Sequence, residues 1–117
     1  MRHKTLSASK RDKIKELNDR FRTNLSVSLG QVCYTSGIEN LPPEKKSEVL
    51  EAVRSFKRFD ENNDPWGEHD FGIVTIGGTK CYWKIDYYDR GMQYGSGDAS
   101  NPRKTWRVLT IMLAEEY

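Results

Sequence analysis

Between Asn63 and Phe71, and again between Tyr82 and Asp89, acids, one histidine and large aromatic residues sit in alternation that packing alone does not require. Asp60-x-Asn62-x-Asp64 has the spaced oxygen ligands that open a calcium loop, with Glu68 at the ninth position. The sixth position is Pro65 where a glycine is needed, and the twelfth is Phe71 in place of a bidentate glutamate, so the pattern fails where it is most demanding. Glu68, His69 and Asp70, with Asp86 and Asp89, are the residue types for a divalent-metal or acid–base site, as in a metal-dependent hydrolase. No His-x-x-x-His or Cys-x-x-Cys spacing supports zinc. The metal candidates are therefore Asp60, Asn62, Asp64, Glu68 and His69, and the competing reading has His69 and its acids pinning the loop to the sheet by hydrogen bonds.

Neighbouring aromatics suggest a different use. Trp66, Phe71, Tyr82, Lys84, Asp86, Tyr88 and Tyr94 combine apolar area with polar tips, as interface residues do. They make up the candidate partner-binding set. Tyr82, Tyr88, Tyr94, Trp66 and Trp106 also suit base stacking, and the basic residues Arg11, Lys13, Lys15, Arg20 and Arg22 of the first helix form a candidate nucleic-acid contact. Asp12, Glu16 and Asp19 lie between them, as on an ordinary solvated helix. Residues 1–24 carry a net charge of +5 and the remainder −3, within an overall +2. Attraction to polyanions would act through this segment alone. Gly95-Ser96-Gly97 lacks both the Walker lysine and the nucleophile elbow. No catalytic residue is assigned and no cofactor is expected.

These residues must be positioned by few elements. A chain of 117 residues fits one domain, burying roughly two thirds of its unfolded surface. The expected division is a flexible N-terminus over 1–8 and a single α+β domain over 9–117. Ile14, Leu17 and Phe21 mark one apolar stripe on a helix from Ser9 to about Thr23, with Ser9 placed to cap it. Gln31–Thr35 reads as a strand, and Leu25–Leu29 alternates before it, so Gly30 would be a bulge or turn if both are extended. Leu41-Pro42-Pro43-Glu44 opens a second helix, whose buried stripe is Val49, Leu50, Val53, Phe56 and Phe59 and whose end lies at Asp60–Pro65.

Gly77-Gly78 between two β-rich runs predicts a hairpin, Phe71–Ile76 with Thr79–Tyr88. The register sets residue 76 opposite 79, 74 opposite 81, and Gly72 opposite Trp83, where the missing side chain leaves room for the indole. Val74, Ile76, Cys81, Trp83 and Ile85 then face the core. Phe71, Ile73, Tyr82, Lys84, Asp86 and Tyr88 face away. Thr105–Ala114 is a near-continuous apolar run, read as a central strand buried on both faces. The fold class is α+β, with a mainly antiparallel sheet, two helices on one face and the order α-β-α-β-β-β.

The chain begins Met-Arg-His-Lys, without the apolar run of a signal peptide, and has no stretch of ~18 apolar residues. A cytoplasmic protein without membrane contact is expected. Cys33 and Cys81 read as two small buried hydrophobes. Ile14–Arg22, Asn63–Gly72, Trp83–Asp89 and Arg107–Tyr117 together resemble the small bacterial domain-of-unknown-function family 3768. That resemblance implies a compact protein of one domain, typically borne on plasmids and other mobile elements, with no assigned activity to carry over. The loop Gly95–Pro102 departs from the family's acidic Ser-x-Asp-Pro pattern. The function expected is a non-catalytic module binding a protein partner, in concrete form an accessory inhibitor or regulator such as a counter-defence factor. Nucleic-acid or nucleotide binding is the alternative.

Overall fold

The structure, a computed structural model, describes residues 2–117, with side chains from residue 9 onward. Of the segment 1–8, expected to be flexible, Met1 and the side chains lie outside this description. Helix α1 runs Arg2–Asn24, strand β1 Gly30–Tyr34, helix α2 Ser36–Glu39 and helix α3 Pro43–Arg54; strands β2 (Phe71–Ile76), β3 (Thr79–Tyr88) and β4 (Trp106–Leu113) follow, and a 3-10 turn spans Ala114–Glu116. The sheet order is β1-β4-β3-β2. β4 pairs antiparallel with β3 and parallel with β1, so the α+β class and the mainly antiparallel sheet are as expected.

The hairpin forms in the register that its turn demands. Gly77 and Gly78 have φ of 53° and 83°, which a primed two-residue turn requires. Ile76 pairs Thr79, Val74 pairs Cys81 and Gly72 pairs Trp83. A Cβ on Gly72 would lie 2.5 Å from the Trp83 indole nitrogen, so only glycine admits the ring there. Trp83, Cys81 and Ile85 are buried with Val74 on the inner face. β4 is buried on both faces as expected, through Leu109 and Ile111 inward and Val108 and Met112 outward. The inner residues join Leu17 and Phe21 of α1, Ile38 of α2, and Val49 and Val53 of α3 in one core.

Four local readings are corrected. Ser9 lies inside α1, which begins at Arg2. Leu25–Leu29 is a turn and not a strand: Leu25 has a φ of 50°, and Val27 is exposed. α3 stops at Arg54, so Phe56 and Phe59 reach the core from the segment after the helix. The short helix α2 and the 3-10 turn were not anticipated. Glu116 explains why they meet: its carboxylate accepts hydrogen bonds from the Gly37 amide at 2.9 Å, the Thr35 hydroxyl at 2.6 Å and the Leu113 amide at 2.8 Å, which hold it below the usual carboxylate range.

Candidate functional site

Two places gather the chemistry-bearing residues, and each follows from the sheet. The first is the buried boundary between α1 and the sheet. Asn18 and Arg22 stand beside Leu17 and Phe21 on the buried stripe of α1, and all four are buried. Asn18 is a hub: its amide donates to the Tyr87 hydroxyl at 2.8 Å and the Glu68 backbone carbonyl at 3.0 Å, while its oxygen accepts from Arg107 Nε at 2.7 Å. Tyr87 in turn donates to the Glu68 carboxylate at 2.8 Å, and Arg107 Nη2 donates to the Ala99 carbonyl at 2.6 Å. Arg107 Nη1 is buried with no hydrogen-bond partner. Burial lowers the pKa of Arg107 and raises that of Tyr87. Asp70, desolvated and close to the Glu68 charge, is pushed up to about 6.

His69 lies beside this network. Its Nδ1 is 2.9 Å from Asp19 Oδ1, its Nε2 is 3.7 Å from Asp64 Oδ2, and its ring stacks on Phe59 at 3.7 Å between centroids. Its φ of 57° is held by Asp64, whose Oδ1 accepts from the amides of Glu68 and His69. The histidine therefore ties the loop to α1, where a tie to the sheet had been expected. Asp19, Arg22, Phe56, Phe59 and His69 border a cleft of about 410 Å³ here. An imidazole oriented by one carboxylate has the form of a general base. Among the described residues, however, no hydroxyl or thiol is hydrogen-bonded to it, and its second nitrogen faces another acid.

The metal candidates are used locally. Asp60 accepts from the amides of Asn62 and Asn63, Asp64 from those of Glu68 and His69, and Glu68 from Tyr87. Among the described residues, no three His, Cys, Asp or Glu side chains are grouped to hold an ion. In the basic set, Arg22 is withdrawn from solvent: it is 3% exposed and donates to the Val53 and Arg54 carbonyls and to Asp19, so its place among the phosphate contacts is corrected. Arg11 pairs with Asp12 and Arg20 with Glu16, while Lys13 and Lys15 make no ion pair among the described residues.

The second place is the outer face of the sheet. Phe71, Tyr82 and Tyr117 form a ring cluster with centroids 4.9–5.9 Å apart, and Lys80 lies over Tyr82. Lys84 pairs with Asp86 at 2.9 Å, which raises its pKa. Tyr88 pairs with Trp106, which lies under Arg90 and donates to Gln31. Five of the seven expected partner-binding residues share this face. Tyr94 is exposed in the loop beyond, which bridges back to Tyr88 through Gly95. Trp66, 77% exposed, belongs to another surface, since its neighbour Gly67 lies against Arg11 of α1.

Sequence reasoning missed Asn18, Tyr87, Arg107 and Tyr117. The first three were within reach of periodicity: Asn18 is four residues after Ile14, and Tyr87 and Arg107 continue the inward alternation of Ile85 and Leu109. Tyr117 carries no such signal. Among the described residues, no helix is long and apolar enough to cross a membrane. Comparison with curated proteins and with solved structures found no match. A family model described as "Protein of unknown function (DUF3768)" matches residues 34–116, from the end of β1 through the 3-10 turn after β4, while the Ile14–Arg22 segment of the resemblance lies outside the match. The match spans well over half of the chain, which therefore belongs to the DUF3768 family.

Proposed function

We propose that this chain is a small non-catalytic module that binds a protein partner through the outer face of its sheet. The observation that carries this reading is the composition of that face. Among the described residues, the core side chains of α1, α2 and α3 cluster with Val74, Cys81, Trp83, Ile85, Leu109 and Ile111 of the inner side. The outer side presents Phe71, Tyr82, Tyr117 and Tyr88 around the Lys84–Asp86 pair, with Ile73 38% exposed at its margin. Aromatic rings ringed by paired charge suit a recognition surface, since they offer large contact area at low side-chain entropy cost. The finer role, an accessory inhibitor or regulator such as a counter-defence factor, acting in the cytoplasm from a mobile element, follows from the resemblance and the small size. A photo-reactive residue in place of Tyr82 should cross-link one stoichiometric protein from a bacterial host, and the same probe in place of Lys13 on α1 should not. Recovery that depends on intact nucleic acid at low salt overturns the reading.

A further inference from the structure

We propose that the free edge of β2 is a strand-addition site for an extended peptide segment bearing acidic residues. This rests on the reading of the chain as a partner-binding module and names the partner's form.

β2 is the last strand of the sheet, with β3 on one side of it. The Ile85 amide donates to the Asp70 carbonyl at 2.8 Å, so 70 and 85 form a hydrogen-bonded pair, as do 72 with 83, 74 with 81 and 76 with 79 by the same register. The amides and carbonyls of Phe71, Ile73 and Thr75 must then point away from β3. None of them has a hydrogen-bond partner among the described residues. Edge strands are ordinarily blunted by lysine, proline or a bulge. β2 reads Phe-Gly-Ile-Val-Thr-Ile, with no charge, no proline and an unbroken register.

A cleft of about 480 Å³ runs beside that edge. Residues of both parities, Ile73 and Thr75 with Val74 and Ile76, line it, so it follows the strand's margin and not one face. Its far wall is the end of α3 and the segment after it, with Phe56 supplying an apolar floor. A peptide laid on the edge would point alternate side chains toward that wall. Lys57 and Arg58 stand there exposed, in no ion pair among the described residues, and no acid lines the cleft. The charge therefore selects an acidic segment. A second copy of the chain would bring its own Lys57 and Arg58 to the seam without a counter-charge.

The test uses the full chain and a display library of linear peptides. Enriched peptides should alternate apolar residues with Asp or Glu. Their binding should slow amide exchange at Phe71, Ile73 and Thr75 by about tenfold or more, while Gly72, Val74 and Ile76 are protected already in the free protein. Charge reversal at Lys57 and Arg58 together should weaken binding by about tenfold with the melting temperature unchanged. Ile73→Pro, which removes one outward donor and no bond to β3, should do the same. The proposal is overturned if no peptide is enriched, if enriched peptides ignore the charge reversal or protect other amides, or if the three amides become protected in the free protein as its concentration rises, which marks a second copy. Cross-linking from position 82 that survives Ile73→Pro leaves the outer-face reading standing while strand addition falls. Edge binding with no cross-link from position 82 gives the reverse.

Discussion

At the scale of residues, the buried boundary between α1 and the sheet concentrates the costs of this fold. Asn18 satisfies Arg107, Tyr87 and the Glu68 carbonyl together, so Asn18→Ala strands a buried guanidinium nitrogen and should cost about 2–4 kcal/mol in urea unfolding. Arg20→Ala, which breaks an exposed pair with Glu16, should cost under about 0.5 kcal/mol. Equal effects would remove Asn18 from the centre of the network. Asp70 makes the opposite contribution. Its pKa rises from 3.8 to about 6, so the folded chain keeps a proton that the unfolded chain has lost between those values. Stability from this group therefore falls as pH rises through that window. Asp70→Asn should stabilise the protein at pH 7 by about 1–2 kcal/mol, discounted for solvent screening, and do little once the pH is below the unfolded value. A gain of the same size in acid would show that ionisation is not the cause.

At the scale of elements, two devices set the geometry. Arg22 of α1 donates to the Val53 and Arg54 carbonyls at the end of α3, at 2.7 and 3.1 Å, and Arg54 donates to the Thr23 carbonyl at the end of α1 at 3.0 Å. Each arginine thus donates to the last carbonyls of the other helix, and the Val53 carbonyl accepts from the Phe56 amide as well, at 3.3 Å. Arg22→Ala should cost about 2–4 kcal/mol because it removes buried hydrogen bonds to the α3 carbonyls and the packing on Phe59 and Trp83. Arg54→Ala, at a more exposed position, should cost about 1 kcal/mol or less. The hairpin is the second device. Trp83→Ala should cost about 3–5 kcal/mol as a large-to-small change in the core, and Lys84→Ala little. The hairpin was legible beforehand because turn chemistry and alternation are both local. The end of α3 was not: Phe56 and Phe59 extend its apolar pattern, yet they are placed by packing on each other and on Trp83 after the helix has stopped.

At the scale of the molecule, the proposed function assigns recognition to the outer side of the sheet and leaves stability to the inner side. His69→Ala should lower stability by about 1–3 kcal/mol, since Asp19 loses one of its two partners and Phe59 its stacked ring, and should weaken partner binding only in proportion. Tyr82→Ala or Tyr88→Ala should weaken binding with little change in melting temperature. Unfolding and binding measured on the same variants check this. A His69→Ala protein with unchanged melting temperature and no function would describe a chemical site and overturn the division.

What the chain determined alone is what neighbours in sequence control: the hairpin and its register, the proline-opened start of α3, the double burial of β4 and the aromatic, charged face of β3. Periodicity and turn geometry act over a few residues, so they can be read in order. Only the tertiary structure decided that β1 runs parallel to β4, that Tyr117 joins Phe71 and Tyr82, and that Asn18, Glu68, Tyr87 and Arg107 share one network. Those partners lie 50 to 89 residues from Asn18 along the chain. A polar side chain on a buried stripe shows that a partner must exist, because leaving it unpaired costs too much. Which partner it finds depends on the elements that close around it.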